Sequence, residues 1–256
     1  MRRPQLTRGL LIAALFTLAL TAGSASAARV ALGNIVIVAD GDFHPEVLPK
    51  SSFAPIRIGG HATISTKDGT TPPPLKTILL LFDRNGHLET RGLPTCAAEA
   101  LANETVAQAR RTCRSAIVGT GVAKAILTFP GQAPIPATSP LTFFNGPRKG
   151  GDATVVIHAY TTTPAPTTYV VVTTIAKVHI GRFGYAVSTD VPSIAGGNGS
   201  LVAGSLAIRR TYPYRGRTHS YTSARCADGL LEARGRLAFT DGTIIAGTVY
   251  KPCWVR

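Results

Sequence analysis

The stretch from residue 209 to residue 221 mixes arginine with tyrosine. Guanidinium groups bind phosphate and carboxylate oxygens through several N–H donors, and tyrosine rings stack on planar groups. The alternative is a solvated turn in which the arginine stems cover the aromatic rings. The pattern predicts an anion-binding surface, and its candidate residues are Arg209, Arg210, Tyr212, Tyr214, Arg215 and Arg217.

A second group of polar residues stands at alternate positions near the start of the chain: Asp40, Asp42, His44 and Glu46. An extended strand projects such residues from one side, where carboxylate and imidazole groups can share a divalent cation. However, Gly41 and Pro45 interrupt a regular strand, and a polar strand edge needs no ligand. We therefore predict no metal and no other cofactor, and keep these four as the candidate ligands.

The remaining motifs do not identify a catalytic residue. Residues 83–89 resemble a calcium loop, but their glycine comes fourth where the helix–loop–helix motif places it sixth, so they predict a tight hairpin turn. Ser200 lacks the flanking glycines of a nucleophile elbow. His158 stands in an apolar run, which is typical of a hydrogen-bonded interior residue. The sequence therefore favours a protein that is not an enzyme.

The four cysteines are Cys96, Cys113, Cys226 and Cys253. An even count in an exported chain predicts two disulfides, for which three connectivities exist. We favour Cys96–Cys113 and Cys226–Cys253, because each pair is local in sequence. Each bridge is expected to stabilise the fold by about 3 kcal/mol in the chain-entropy model.

Residues 97–111 form the best helical segment, with Thr95 as its candidate N-cap. One straight helix would hold the sulfurs of Cys96 and Cys113 roughly 25 Å apart, whereas a bridge needs Cα atoms within about 7 Å. Asn103 supplies a break, because it can end one turn and cap the next. The sequence thus predicts two short helices in a hairpin, closed by the disulfide.

Outside this insert, short runs rich in Val, Ile, Thr and aromatic residues alternate with turn signals. This pattern predicts a mainly β protein, an antiparallel β-sandwich or a barrel-like architecture, with a disulfide-closed helical insert at about 96–113. Asp241-Gly242 predicts a tight hairpin. The Thr- and Pro-rich segment 161–168 is either a sub-domain boundary or a long hairpin loop within one domain.

The first residues predict export. Three arginines precede an apolar run, and small residues end at Ala27, as in a secretory signal peptide over residues 1–27. We expect the mature chain, residues 28–256, to be a single secreted domain without a transmembrane segment. Its net charge falls from +14 to +11 without the leader arginines Arg2, Arg3 and Arg8. Such a charge either favours acidic partners such as wall polymers or serves solubility alone.

Several segments resemble those of uncharacterised secreted β-rich proteins of soil actinobacteria. The likeness is carried by residues 48–50, 82–86, 92–96, 113–121, 220–226 and 241–253. The resemblance covers most of the mature chain. It implies export and paired cysteines, and it implies no activity.

We therefore expect a secreted, non-enzymatic β protein with a structural or binding role at or outside the cell envelope, in contact with anionic polymers. One alternative is an extracellular hydrolase of wall or environmental polymer, which needs a groove with two close carboxylates or a Ser–His–acid cluster. Another is a carrier of apolar ligands, which needs a large buried pocket.

Overall fold

The computed structural model describes residues 27–256, so the predicted signal peptide lies outside the described residues except for its last position. The described chain is mainly β, as predicted, with 3-10 turns at Ala98–Leu101, Arg114–Ala116 and Ile194–Gly197 and one α-helix, α1 (Val106–Thr112). Within this range no helix has the length and apolar character to cross a membrane. The strands are β1 (Ala28–Leu32), β2 (Ile35–His44), β3 (Val47–Leu48), β4 (Ala54–Pro55), β5 (Arg57–Thr66), β6 (Leu75–Asp83), β7 (Gly86–Leu88), β8 (Ile117–Leu127), β9 (Ile135–Lys149), β10 (Asp152–Thr161), β11 (Thr167–Ile180), β12 (Phe183–Asp190), β13 (Gly199–Ile208), β14 (Thr211–Tyr214), β15 (Arg217–Ser220), β16 (Thr222–Ala224), β17 (Leu230–Phe239), β18 (Ile244–Pro252) and β19 (Trp254–Val255).

Twelve strands form one antiparallel sheet in the order β1-β2-β5-β13-β8-β9-β10-β11-β12-β6-β17-β18. The sheet curls until its edge strands β1 and β18 lie side by side, with no hydrogen-bonded ladder between them among the described residues. Val30 packs against β18 at Gly247, where an added Cβ would come within 2.8 Å of the valine Cγ2. The sheet is therefore nearly closed, and the predicted barrel-like, antiparallel architecture is confirmed.

The two ends of this sheet differ, because connections between antiparallel neighbours alternate between them. One end, the loop end, carries residues 33–34, 67–74, 128–134, 162–166, 191–198 and 240–243. The other, the capped end, carries residues 45–56, 84–116, 150–151, 181–182, 209–229 and 253–256. The longest connections of the capped end build small sheets of their own, β4-β16-β7, β14-β15 and β19-β3.

Apolar side chains fill the inside of the sheet at both ends. Towards the loop end the core is made by Ile35, Ile37, Ile64, Leu75, Phe239 and Ile245. Towards the capped end, Phe143 and Val155 of the sheet pack with Tyr212 and Tyr221 of the capping segments. The cap is thus part of the core, since it supplies the buried aromatic rings that close this end.

The helical insert covers the outer face of β9 and β10. Phe144 and Val156 are fully buried there against Leu101 and Ala109 of the insert. His158, also fully buried, places its Nε2 atom 2.8 Å from the carbonyl oxygen of Glu104. The central strands are consequently buried on both faces.

The insert follows the prediction in outline and departs from it in detail. The Cys96–Cys113 disulfide is formed, and the break falls where predicted, with Asn103 in the left-handed region at φ 64°. The predicted N-cap Thr95 is wrong, because the first segment is a single 3-10 turn that begins after Ala97 without a side-chain cap. The helix α1 is capped by Thr105 in a reciprocal capping box, and not by Asn103.

The second disulfide, Cys226–Cys253, is also formed as predicted. It ties the segment after β16 to the C-terminal end of the chain, beside the buried side chains of Phe43 and Leu48. Both bridges therefore lie outside the twelve-stranded sheet and fasten the segments that cap it.

Three predicted connections can be compared with the structure. Residues 240–243 form the predicted hairpin between β17 and β18. The segment 162–166 joins β10 to β11, which pair directly within the twelve-stranded sheet. The hairpin predicted at residues 83–89 is wrong, because β7 after the turn pairs with β16 whereas β6 before it pairs with β12 and β17.

Candidate functional site

The predicted basic stretch becomes the hairpin β14–β15, whose turn is Arg215-Gly216. Tyr212 belongs to the core, and its hydroxyl lies within donor distance of the carbonyl oxygens of Glu89 (3.2 Å) and Arg91 (3.0 Å). Burial, together with the charge of Glu89, raises the pKa of Tyr212 to about 12. This ring is therefore structural and is not available to stack on a ligand.

Tyr214 is half-buried and is engaged by the protein itself. It packs over Gly92 and meets the ring of His219 edge-on at 5.7 Å. The guanidinium of Arg215 lies 5.3 Å from the centre of the Tyr214 ring. The Tyr214 ring therefore contacts the Arg215 side chain at the turn. This contact agrees with the alternative interpretation, in which arginine side chains cover the aromatic rings.

The four predicted arginines do not come together. Arg210 turns towards the insert and donates from its NH2 group to the carbonyl oxygen of Ser115 at 3.1 Å. Arg209 is exposed between β13 and β14. Arg215 and Arg217 flank the hairpin turn and are both exposed. Only these two form a compact basic patch.

Three of the candidate metal ligands, Asp40, Asp42 and His44, lie on β2, which runs through Gly41 without interruption, whereas Glu46 lies in the bend between β2 and β3. Asp40 accepts from Lys251 Nζ at 2.7 Å. Although burial opposes ionisation, hydrogen bonds from Lys251 and from the N–H of Gly41 lower the pKa of Asp40. Across the ladder, Asp42 faces Gly59 and His44 faces Arg57. No group of three His, Cys, Asp or Glu side chains within residues 27–256 is arranged to hold a metal ion.

The capped end also carries an open depression of about 380 Å³, which we call the His87 depression. Its side chains come from the loop before β4, from the turn after β6, and from β7, β11 and β12. The residues that give it its character are Phe53, Arg84, His87, Lys177, His179 and Tyr185. Sequence reasoning missed it, because these residues are scattered over more than a hundred positions and no local motif joins them.

His87 lies at the centre of this depression. Its Nδ1 atom is 3.4 Å from the Tyr185 hydroxyl, which accepts a hydrogen bond from the N–H of Leu88. The His87 ring lies 5.1 Å from the ring of Phe53, a side chain that remains 42% exposed. The Tyr185 hydroxyl therefore contacts one of the two ring nitrogens of His87.

The charges around the depression are mainly positive. Arg84 and Lys177 line it, and the guanidinium of Arg225 lies 5.2 Å from the centre of the Phe53 ring at its rim. Within residues 27–256 no carboxylate lies within 4 Å of these three cations. Nearby Glu89 is bound by Arg91, whose hydrogen bonds lower the pKa of Glu89 to about 2.

A partly buried ionic cluster centres on Arg182, whose chain neighbours Gly181 and Phe183 line the depression. Arg182, in the turn between β11 and β12, donates from Nε to Asp83 Oδ2 at 2.8 Å. Its Nη2 atom donates to Asp228 Oδ2 at 3.1 Å and to the carbonyl oxygen of Leu230 at 3.2 Å, and Nε lies 3.3 Å from Glu232 Oε2. The cluster therefore joins the ends of β6 and β17 to the turn that precedes Phe183 and Tyr185.

The same cluster contains the two close carboxylates that a hydrolase would need. Asp83 is 4% exposed and Glu232 is 7% exposed, and Arg182 contacts both of them. They lie beneath the surface and not in a groove. The imidazoles of His87 and His158 contact a tyrosine hydroxyl and a backbone carbonyl respectively. The ion pairs of Arg182 with Asp83 and Glu232 therefore contribute to the stability of the fold.

No protein-family model, no curated protein and no solved structure matches this chain.

Proposed function

We propose that the protein is secreted, is not an enzyme, and binds anionic polymers at or outside the cell envelope through its capped end. The single observation that carries this proposal is the set of cations around the His87 depression that have no carboxylate partner among the described residues. Arg84 and Lys177 come from separate segments and both line the depression, and Arg225 lies over the ring of Phe53, which also lines it. Because like charges repel, cations that lie close together lower the stability of the folded state.

Other cations of the capped end extend this surface. Arg148 reaches the Thr90 hydroxyl at 3.3 Å, and Arg215 lies over Tyr214, which packs on Gly92. Residues 84–92 are therefore bordered by basic side chains from several connections. A polymer with repeated negative charges can contact several such groups at once, which a small anion cannot do.

Export itself is supported by the predicted signal peptide and by the two disulfides, which persist in oxidising compartments. Outside the cell, disulfides are not reduced by the cytosolic thiol systems, so they can hold the segments that carry a charged surface in place. The two bridges fasten the capping segments and supply that constraint.

The test is salt-dependent retention on immobilised teichoic acid and on heparin. Two double variants remove cations from the capped end, Arg84→Ala with Lys177→Ala and Arg215→Ala with Arg217→Ala. Each should elute at lower salt than the wild type. The slope of log K against log salt should fall by roughly 1 to 2, because each lost contact releases about one counterion fewer.

The matched control removes the same charge from the loop end, by Lys67→Ala with Lys76→Ala, both of which are exposed. It should elute with the wild type. If the control and the capped-end variants shift equally, retention reports net charge alone and the proposal is wrong. If the wild type is not retained at physiological salt, the proposal is also wrong.

A further inference from the structure

The His87 depression places an imidazole beside permanently charged cations. Its donors reach it from three sides: Arg84 from the turn after β6, His87 from β7, and Lys177 from β11. A tetrahedral phosphate presents oxygens in more directions than a planar carboxylate, and a guanidinium fork matches two of them. The arrangement fits a phosphate group better than a carboxylate.

We propose that the His87 depression binds a phosphodiester group of the polymer and that His87 takes up a proton from solvent when this anion is bound. The inference rests on the proposed function, because the polymer must reach the capped end before one of its phosphates can enter the depression. It adds the chemical class of the ligand and a dependence on pH.

The groups that face His87 determine its charge before the ligand arrives. Burial lowers the pKa of His87; Glu89 opposes this effect, whereas Lys177 and Arg91 add to it. The Tyr185 hydroxyl faces Nδ1 from β12. From the remaining sides of the depression the facing groups are Arg84, His179 and the rim cation Arg225.

An anion placed among these groups favours the imidazolium form. The pKa of His87 must then be higher in the complex than in the free protein. Affinity rises as the pH falls through the pKa of the complex, and it levels off below the pKa of the free protein. A difference of one unit between the two values corresponds to about tenfold in affinity.

The probe is a synthetic poly(glycerol phosphate) oligomer, because its phosphodiesters keep one fixed charge each between pH 5 and 8. Calorimetric titration at constant ionic strength should show roughly five- to tenfold tighter binding at pH 5.5 than at pH 7.5. His87→Gln keeps a polar side chain beside Tyr185 and should bind equally at both pH values. His61→Gln, which replaces an imidazole on β5 facing Asp40, should keep the wild-type pH dependence.

A second readout uses the wild type alone, so it does not depend on the folding of a variant. The imidazole C–H resonances of His87 are followed by NMR against pH, with and without the oligomer, and the titration should move to higher pH in its presence. Binding that is equally tight at both pH values overturns the inference and leaves the proposed function standing. No binding at either pH overturns both. If a uronate polymer of the same length and charge shows the same increase in affinity between pH 7.5 and pH 5.5, the assignment of the ligand as a phosphate is wrong.

Discussion

Replacing Arg182 by methionine removes the cation that joins three carboxylates at the capped end. Methionine retains most of the side-chain volume and packs in the same place. Asp83 and Glu232 remain, almost fully buried and without the guanidinium that neutralises them. The change therefore tests how much this cluster contributes to the stability of the fold.

The expected cost follows from the burial of the groups that are left behind. Removing one partner of a buried ion pair costs about 3–5 kcal/mol, because the remaining charge is uncompensated. Arg182 is 29% exposed, so water can partly replace it, and the lower end of that range, about 3 kcal/mol, applies. For a chain of this size such a loss lowers Tm by roughly 6–12 °C.

The assay is urea unfolding at pH 7, followed by tyrosine and tryptophan fluorescence, with calorimetry for Tm. The matched control is Arg234→Met, which removes an arginine that contacts Glu232 at 3.4 Å but is 50% exposed. An exposed pair of this kind contributes about 1 kcal/mol or less. Arg182→Met should therefore be destabilised at least twice as much as Arg234→Met.

Adding Asp83→Asn to Arg182→Met should recover part of the lost stability, because it removes one of the stranded charges. Equal and small effects of the two arginine variants would refute the assignment of Arg182 as the centre of the cluster. No recovery in the double variant would show that the cost arises from packing and not from charge.

Three further outcomes are expected from other parts of the molecule. Because burial raises the pKa of Tyr212 to about 12, this tyrosine should ionise at a higher pH than an exposed one when tyrosinate absorbance is followed against pH. The free energy of unfolding should fall as the pH rises from about 10 to about 12, because the unfolded chain loses this proton first. Gly247→Val should push Val30 and β1 away from β18, so amide exchange should quicken in these edge strands while β9 and β10 stay protected. Removing the Cys96–Cys113 bridge as a double alanine variant should lower the free energy of unfolding by about 3 kcal/mol in urea titrations and expose the insert to proteolysis.

Most strands of the sheet were predictable, because many of them are rich in β-branched and aromatic residues and are ended by a turn signal, but β1 was not predicted. The sequence of a strand does not show, however, which other strand it pairs with. The hairpin predicted at residues 83–89 failed for this reason: Arg84-Asn85 is a turn, but β7, which begins at Gly86, pairs with the distant strand β16. The two-residue strands β3, β4 and β19 are too short to leave a periodic signal.

The candidate site was less predictable than the fold. Tyr212 and Arg210 satisfy the pattern of a binding stretch, yet one is part of the core and the other bonds to Ser115. A regular strand would place these two residues on the same face, but the chain leaves the strand at residues 209–210, so alternation could not separate their roles. The His87 depression gathers side chains from connections that are close in space at the capped end and distant along the chain. No spacing rule can reveal that arrangement.

The capped end combines two features that oppose each other electrostatically. Cations gathered on one surface repel, and Arg84 and Arg225 lie on connections without long ladders of their own, whereas Lys177 lies on β11 of the large sheet. The structure opposes this repulsion below the surface, through the Cys226–Cys253 bridge and through the carboxylates held by Arg182. Buried negative charge and covalent links thus stabilise the segments from within, while Arg84, Lys177 and Arg225 have no carboxylate partner in the part of the chain that the structure describes. An anionic polymer would neutralise the surface that the fold leaves positive, so binding should stabilise the capped end more than the loop end.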